Sequence, residues 1–200
     1  MKKILIGFSL FFTVTIYADN DSQVNAFVNR ISNDSQVYIT QIGENNTTIV
    51  DQTKTTNNYT YILTNGSNNN ISIEQIGNPN TITNFNHNII NGDNNSVNVT
   101  QNSTSGTKSS FINITDNNNN VILNQTDSGS HYAEIGLTGG NKTVNIQQSG
   151  TASQQASVQL SGNPTNLSLQ QSGSIQNSYT IQFNCATQGG CSPINIKQGN

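Results

Sequence analysis

Two histidines, two cysteines and a few aspartates are the side chains with which this 200-residue chain would do covalent or metal chemistry, and their spacing supports none. His87 and His131 have no cysteine or carboxylate at ligand spacing, so they read as surface or loop histidines. Asp93, Asp116 and Asp127 are scattered. They make neither the carboxylate pair of a glycosidase nor a periodic calcium loop. Cys185 has no nearby histidine to make it a nucleophile. No enzyme is expected, and no metal or cofactor is implied. The chemistry that does recur is that of the glutamine amide, a double donor and double acceptor. Gln52, Gln75, Gln101, Gln125, Gln148, Gln171 and Gln198 step by 23, 26, 24, 23, 23 and 27 residues.

Each of these glutamines closes the same short pattern, apolar-x-apolar-x-Gln. It is clearest in Ile71–Gly77, where Ile71, Ile73 and Gln75 share one face of an extended strand and Ser72 and Glu74 the other. Val97-Val99-Gln101, Val121-Leu123-Gln125, Val144-Ile146-Gln148, Leu167-Leu169-Gln171 and Ile194-Ile196-Gln198 repeat it, and Thr48-Val50-Gln52 is a degraded copy. In the six copies from Ile71 to Gln198 the interleaved residues are polar, Ile122 being the exception. One face is dry and one wet, as a half-buried strand requires.

Each period holds a second strand upstream, joined by a bend of Gly, Asn or Pro, residues that accept a left-handed or kinked backbone. The first unit runs Val37-Ile39-Gln41, Gly43–Asn46, Thr48-Val50-Gln52. The second opens with Tyr59-Tyr61-Leu63. In the third, Thr81–Phe85 reads as a poor strand and Asn86–Asn94 as an insertion. The fourth opens with Ile112-Ile114-Asp116, the fifth with Ala133-Ile135-Leu137, the sixth with Ala156-Val158-Leu160 and the seventh with Tyr179-Ile181-Phe183. A period of 23 to 27 residues marks a repeat architecture.

Composition agrees. Hydrophobic residues are 32% of the chain and charged residues 8%. Asparagine and glutamine supply about a quarter, too polar for an ordinary core. A disordered polar tract is the alternative, and the registered placement of the apolar residues argues against it. Residues 1–18 read as a secretory signal peptide: Lys2 and Lys3, an apolar run from Ile4 to Tyr17, and cleavage after Ala18. Residues 19–34 lack the repeat and read as a polar arm, either an export segment or a short capping strand on Val24, Ala26 and Val28. The repeat domain is 35–200. No later apolar run is long enough to span a bilayer. Removing Lys2 and Lys3 from the seven basic side chains leaves five against ten acidic, which argues against a nucleic-acid partner. Cys185 and Cys191 share one short loop. In an oxidising compartment they pair as a local disulfide, and a reduced pair is the alternative.

One unit buries too little to fold alone. Stacked, each strand pairs in parallel with its copy in the next turn, and the two strands of a unit face each other across a thin two-layer core. The expected fold is all-β, a parallel β-solenoid of about seven strand–arc–strand turns, rising about 4.8 Å per turn. The inward glutamine then either ends each strand at the solvent boundary or stacks into an amide ladder. Its regular position favours the ladder, since a lone buried amide is costly.

The strand–arc–strand unit with apolar-x-apolar-x-Gln, best seen in Val37–Gln52 and Ile71–Gly77, resembles the curlin repeat of curli subunits. The resemblance runs from about Ser35 to Gln198. It departs where the first-strand glutamine, present at Gln41, is replaced at Leu63, Asp116, Leu137, Leu160 and Phe183, and in the cysteine loop. The resemblance implies a subunit of an extracellular, self-assembling amyloid fibre for biofilm matrix and surface adhesion. It implies homo-oligomeric stacking, a second curlin-type subunit as partner, and export through an outer-membrane pore. The rival is a monomeric, capped β-solenoid that binds a glycan or a surface along a flat face. An adhesin of that kind would carry an outward aromatic or acidic stripe, and Tyr38 and Tyr132 are too sparse in the sequence to decide. An ice-binding face would need outward threonine ladders, and Thr100 and Thr180 have no counterparts in adjacent units.

Overall fold

The computed structural model describes residues 12–17, 25–29, 35–53, 57–77 and 84–199. The leader's Lys2, Lys3 and Ala18, together with Val24, Pro79 and Thr81–Thr83, lie outside them. The described residues form sixteen strands and no helix: β1 (Phe12–Tyr17), β2 (Asn25–Asn29), β3 (Gln36–Ile42), β4 (Thr47–Thr53), β5 (Tyr59–Asn65), β6 (Asn70–Gly77), β7 (Asn84–Asn91) and β8 (Ser96–Ser103), followed by β9 (Lys108–Thr115), β10 (Asn120–Asp127), β11 (His131–Thr138), β12 (Lys142–Gln148), β13 (Gln154–Gly162), β14 (Thr165–Gln171), β15 (Asn177–Cys185) and β16 (Ile194–Gln198). Among them no helix is long and apolar enough to cross a membrane.

The odd strands form one eight-stranded sheet and the even strands another, each in chain order. Every pairing is parallel and each strand sits against its copy in the next turn, Ile73 opposite Val99 and Val99 opposite Leu123. The fold is a parallel β-solenoid. Its seven sequence units are the turns from β3/β4 to β15/β16, and β1 and β2 add one strand to the N-terminal edge of each sheet. Between the sheets lies one continuous core. Ile71, Ile73, Val97, Val99, Val121, Leu123, Val144, Ile146, Leu167 and Leu169 fill it from the even sheet. Val37, Ile39, Ile62, Ile90, Ile112, Ile114, Ile135, Leu137, Val158 and Leu160 fill it from the odd sheet.

The bends keep the stacking. Gly43, Gly66, Gly92, Gly139 and Gly162 have positive φ, and the rung-to-rung hydrogen bonds continue through them: Gly66 N–H to Ile42 O at 2.9 Å and Gly92 N–H to Asn65 O at 2.9 Å. A Cβ on Gly66 would stand 2.1 Å from Gly92 O. At these positions a missing Cβ lets successive turns approach this closely. Asp116 takes the position in one turn at φ 93°, and its own carboxylate accepts from Asn117 N at 2.8 Å.

Three readings of the odd sheet are corrected. In β5 the inward set is Thr60, Ile62 and Thr64, and Tyr59, Tyr61 and Leu63 point outward. In the third unit Asn86–Asn94 is no insertion. Asn84–Asn91 is the strand β7, paired with both neighbours, with Asn84, Asn86, Asn88 and Ile90 inward. In the fourth, Ser110-Ile112-Ile114 is the set in register with Ala133-Ile135-Leu137, and Asp116 belongs to the bend. The position of Gln41 is therefore taken by Thr64 and Ile114 rather than by Leu63 and Asp116. The physical reason is common to the first two. Part of the inward polar set is hydrogen-bonded there: Thr60 Oγ1 donates to Gln75 Oε1 at 2.9 Å, and Asn86 Nδ2 to Ser110 Oγ at 2.7 Å, whereas Thr64 Oγ1 and the Asn84 amide are buried without a partner among the described residues. The large rings meanwhile stack on one another outside.

Candidate assembly interface

The seven glutamines of the even sheet form one column. Gln52 Nε2 donates to Gln75 Oε1 at 2.8 Å, Gln75 to Gln101 at 2.8 Å, Gln101 to Gln125 at 3.0 Å, Gln125 to Gln148 at 2.8 Å, Gln148 to Gln171 at 2.9 Å and Gln171 to Gln198 at 3.0 Å. All but Gln198 are completely buried. The second N–H of each amide from Gln52 to Gln171 reaches across the core edge to the odd sheet, as from Gln148 to Tyr132 O at 2.8 Å and from Gln171 to Gln155 O at 2.8 Å. From Gln52 to Gln171 both donors are satisfied, and from Gln75 on each Oε1 accepts from the glutamine before it, while Gln52 Oε1 has no partner among the described residues. The column also has a direction. Each of the six links donates from the N-terminal turn to the C-terminal one.

A second amide column, not read from the sequence, lines the bend. Asn46, Asn69, Asn95 and Asn119 are buried, and the Oδ1 of each accepts from the backbone N–H one turn on: Asn69 N to Asn46 at 3.0 Å, Asn95 N to Asn69 at 2.9 Å, Asn119 N to Asn95 at 2.9 Å and Lys142 N to Asn119 at 3.1 Å. The residue before each, Asn45, Asn68, Asn94 and Asn118, is left-handed. The signal was present as Gly-Glu-Asn-Asn, Gly-Ser-Asn-Asn and Gly-Asp-Asn-Asn at 43–46, 66–69 and 92–95.

At the opposite bend the register stacks Asn84, Lys108, His131, Gln154 and Asn177. Lys108 is fully buried. Its ammonium donates to Asp127 O at 2.9 Å, to Gly106 O at 3.3 Å and to Gly129 O. Burial lowers it to about 8, and the nearby Asp127 charge works against that. His131 is not a surface histidine but 1% exposed. Its Nε2 lies 2.7 Å from Thr126 O, and Nδ1 accepts from Gln154 N at 3.3 Å. That pairing requires the neutral ring with its proton on Nε2. Burial, and then the Lys108 charge, push it down to about 4. His87 lies on the outer face of β7, where burial also lowers it.

Outside the odd sheet the rings form rows. Tyr38 and Tyr61 stack at 4.9 Å, His87 meets Tyr61 edge-on at 4.6 Å and Phe111 at 4.9 Å, and beside them Tyr59 and Phe85 stack at 5.1 Å. Tyr132, 40% exposed, is in register with Phe85 two rungs farther on, across Ser109, and donates to Glu134 at 2.8 Å.

The last turn is open. Tyr179, Phe183, Ile194 and Ile196 occupy inward positions but are only partly buried, because among the described residues no further rung covers them. Cys185 and Cys191 are joined by a disulfide, with Cα atoms 5.8 Å apart. Their loop folds back on the preceding bend: Cys191 N–H donates to Pro164 O at 3.0 Å and Asn163 N–H to Cys185 O at 3.3 Å. Among the described residues no three His, Cys, Asp or Glu side chains gather where a metal ion would sit.

No protein-family model, no curated protein and no solved structure matches the chain, so its likeness to curlin repeats rests on the residues of the repeat alone.

Proposed function

We propose that this chain is a structural, non-catalytic subunit of an extracellular, curli-like amyloid fibre that grows by end-to-end stacking and serves biofilm matrix and surface adhesion. The observation that carries the reading is the open last turn. A monomeric solenoid is expected to shield its terminal rung with a capping element, because exposed strand edges template further pairing. Among the described residues the last rung instead presents Tyr179, Phe183, Ile194 and Ile196 half-covered above the continuous core. Export fits the same scheme. Cleavage after Ala18 would remove β1 and leave β3 as the first strand of its sheet. The partners are then further copies, a second curlin-type subunit that starts the stack, and an outer-membrane pore. Replacing both Ile194 and Ile196 by Asp places two charges on the joint and abolishes elongation at that end. Unchanged growth of the double variant sinks the reading.

One observation favours the rival, a capped solenoid binding a glycan or surface along a flat face. The outward row Tyr38–Tyr61–His87–Phe111 is an aromatic stripe four turns long. Replacing Tyr38, Tyr61 and Phe111 by Ser separates the two. The rival loses surface binding with no assembly to lose, and the fibre subunit keeps its growth.

A further inference from the structure

We infer that the joint between two copies is polar and made in one register: β16 of one copy adds to β4 of the next, displacing β2. The inference rests on the fibre reading and deepens it.

Two acceptors wait on β4. Gln52 Oε1 is completely buried, yet it has no hydrogen-bond partner among the described residues, although every later glutamine in the column accepts from the one before it. Asp51 Oδ1, its neighbour, is likewise buried without a partner. Asp51 also stands directly opposite Glu74, so two carboxylates share adjacent rungs of the outer face. Like charges in that position repel.

The matching donors are on β16. Gln198 accepts from Gln171 and is the last glutamine of the column among the described residues, where no following amide receives its own Nε2–H. Lys197 is exposed beside it, and it is the one basic side chain among the described residues on an outer sheet face. The register fixes what would meet what. Gln198 continues the column that begins at Gln52, so a second copy added in register puts Gln198 on Gln52, Lys197 on Asp51, Ile196 on Val50 and Ile194 on Thr48. The amide column runs on without a break. Lys197 neutralises the Asp51–Glu74 pair, and the half-covered isoleucines gain a rung. The reverse arrangement, last turn against last turn, would pair the strands antiparallel, breaking the parallel register and leaving both Gln52 acceptors without a donor.

At present β4 is paired by β2, whose five residues reach only Asn29 opposite Asp51. Ala26 and Val28 hold the register positions that Ile194 and Ile196 of an incoming copy would take. This is strand addition at a sheet edge, with a short strand of the same chain as the competitor.

The test is charge exchange in the full chain, read as seeded elongation by thioflavin fluorescence. Lys197→Glu stacks three carboxylates at the joint and Asp51→Lys sets two ammonium groups together. Each slows elongation at least about tenfold, the equivalent of about 1.4 kcal/mol at the joint. The double variant Asp51→Lys/Lys197→Glu restores attraction and returns to within about twofold of the parent. Both positions face outward, so the core is untouched. A double variant as slow as the singles, or singles that elongate normally, overturns the polar joint while leaving the fibre reading standing. A parent chain that never elongates from seeds defeats the fibre reading itself, and the joint with it.

Discussion

Gln75 Nε2 donates to Gln101 Oε1 at 2.8 Å although the two lie 26 residues apart, three more than Gln52 and Gln75. The extra residues fall between β6 and β7, and the column continues as if they were absent. Register is thus held by the rungs, not by the length of chain between them. Replacing Gln125 by Leu should show what the column is worth. It removes the Oε1 that accepts from Gln101 and the Nε2 that donates to Gln148, leaving buried polar groups unpaired on both sides. The expected loss is about 2–4 kcal/mol, read as a lowered denaturant midpoint. An unchanged midpoint would mean that the amides are spectators.

Acid should weaken the fold through His131. Its folded value, about 4, lies below the unfolded value of 6.5, so the unfolded chain takes up the proton first. The contribution is fully present above about pH 6.5 and is lost as pH falls toward 4, amounting to about 3 kcal/mol at most. The groups facing the ring are Lys108, which lowers it, and Asp127 and the Thr126 carbonyl, which raise it. His131→Gln, matching Gln154 one rung on, should flatten the stability profile between pH 4 and 6.5. A variant that keeps the parent's slope there would assign the acid sensitivity elsewhere.

The two sheets were not equally legible. In the even sheet inward residues are apolar or glutamine in nearly every turn and outward residues polar, so a period of two reads the phase directly. In β5 and β7 the contrast inverts. Tyr59, Tyr61, Phe85 and His87 face outward and stack, while Thr60, Thr64, Asn86 and Asn88 face inward and are fully buried. A reading by hydropathy picks the wrong face there, because aromatic stacking along the axis rewards identical outward positions in successive turns. Neighbouring strands and bends hold the phase. The aromatic row, the asparagine column and the buried Lys108 and His131 escaped for the same reason. Each is defined by alignment between turns, and the odd strands aligned on hydropathy were out of step.

Two glycines separate the role of the bend from that of the strand. Gly66→Ala puts a methyl group 2.1 Å from Gly92 O on a backbone with φ +141°, so adjacent turns must part. A loss of about 3 kcal/mol or more is expected from strain and broken rungs. Gly136→Ala meets nothing nearer than 3.9 Å on ordinary strand backbone and should be neutral or gain about 0.5–1 kcal/mol. Thermal melting of the two variants side by side checks the contrast. Equal effects would remove close stacking of the bends as a determinant of the fold.

The central claim, that the open turn templates further copies, is tested most directly by incubating the purified chain in dilute, quiescent solution, following thioflavin fluorescence and recording fibre diffraction from the product. The account predicts growth after a lag, a lag abolished by seeds, and reflections near about 4.7 and 10 Å, the rung and sheet spacings of the solenoid continued without limit. A β-rich chain that stays monomeric in the presence of seeds would contradict it.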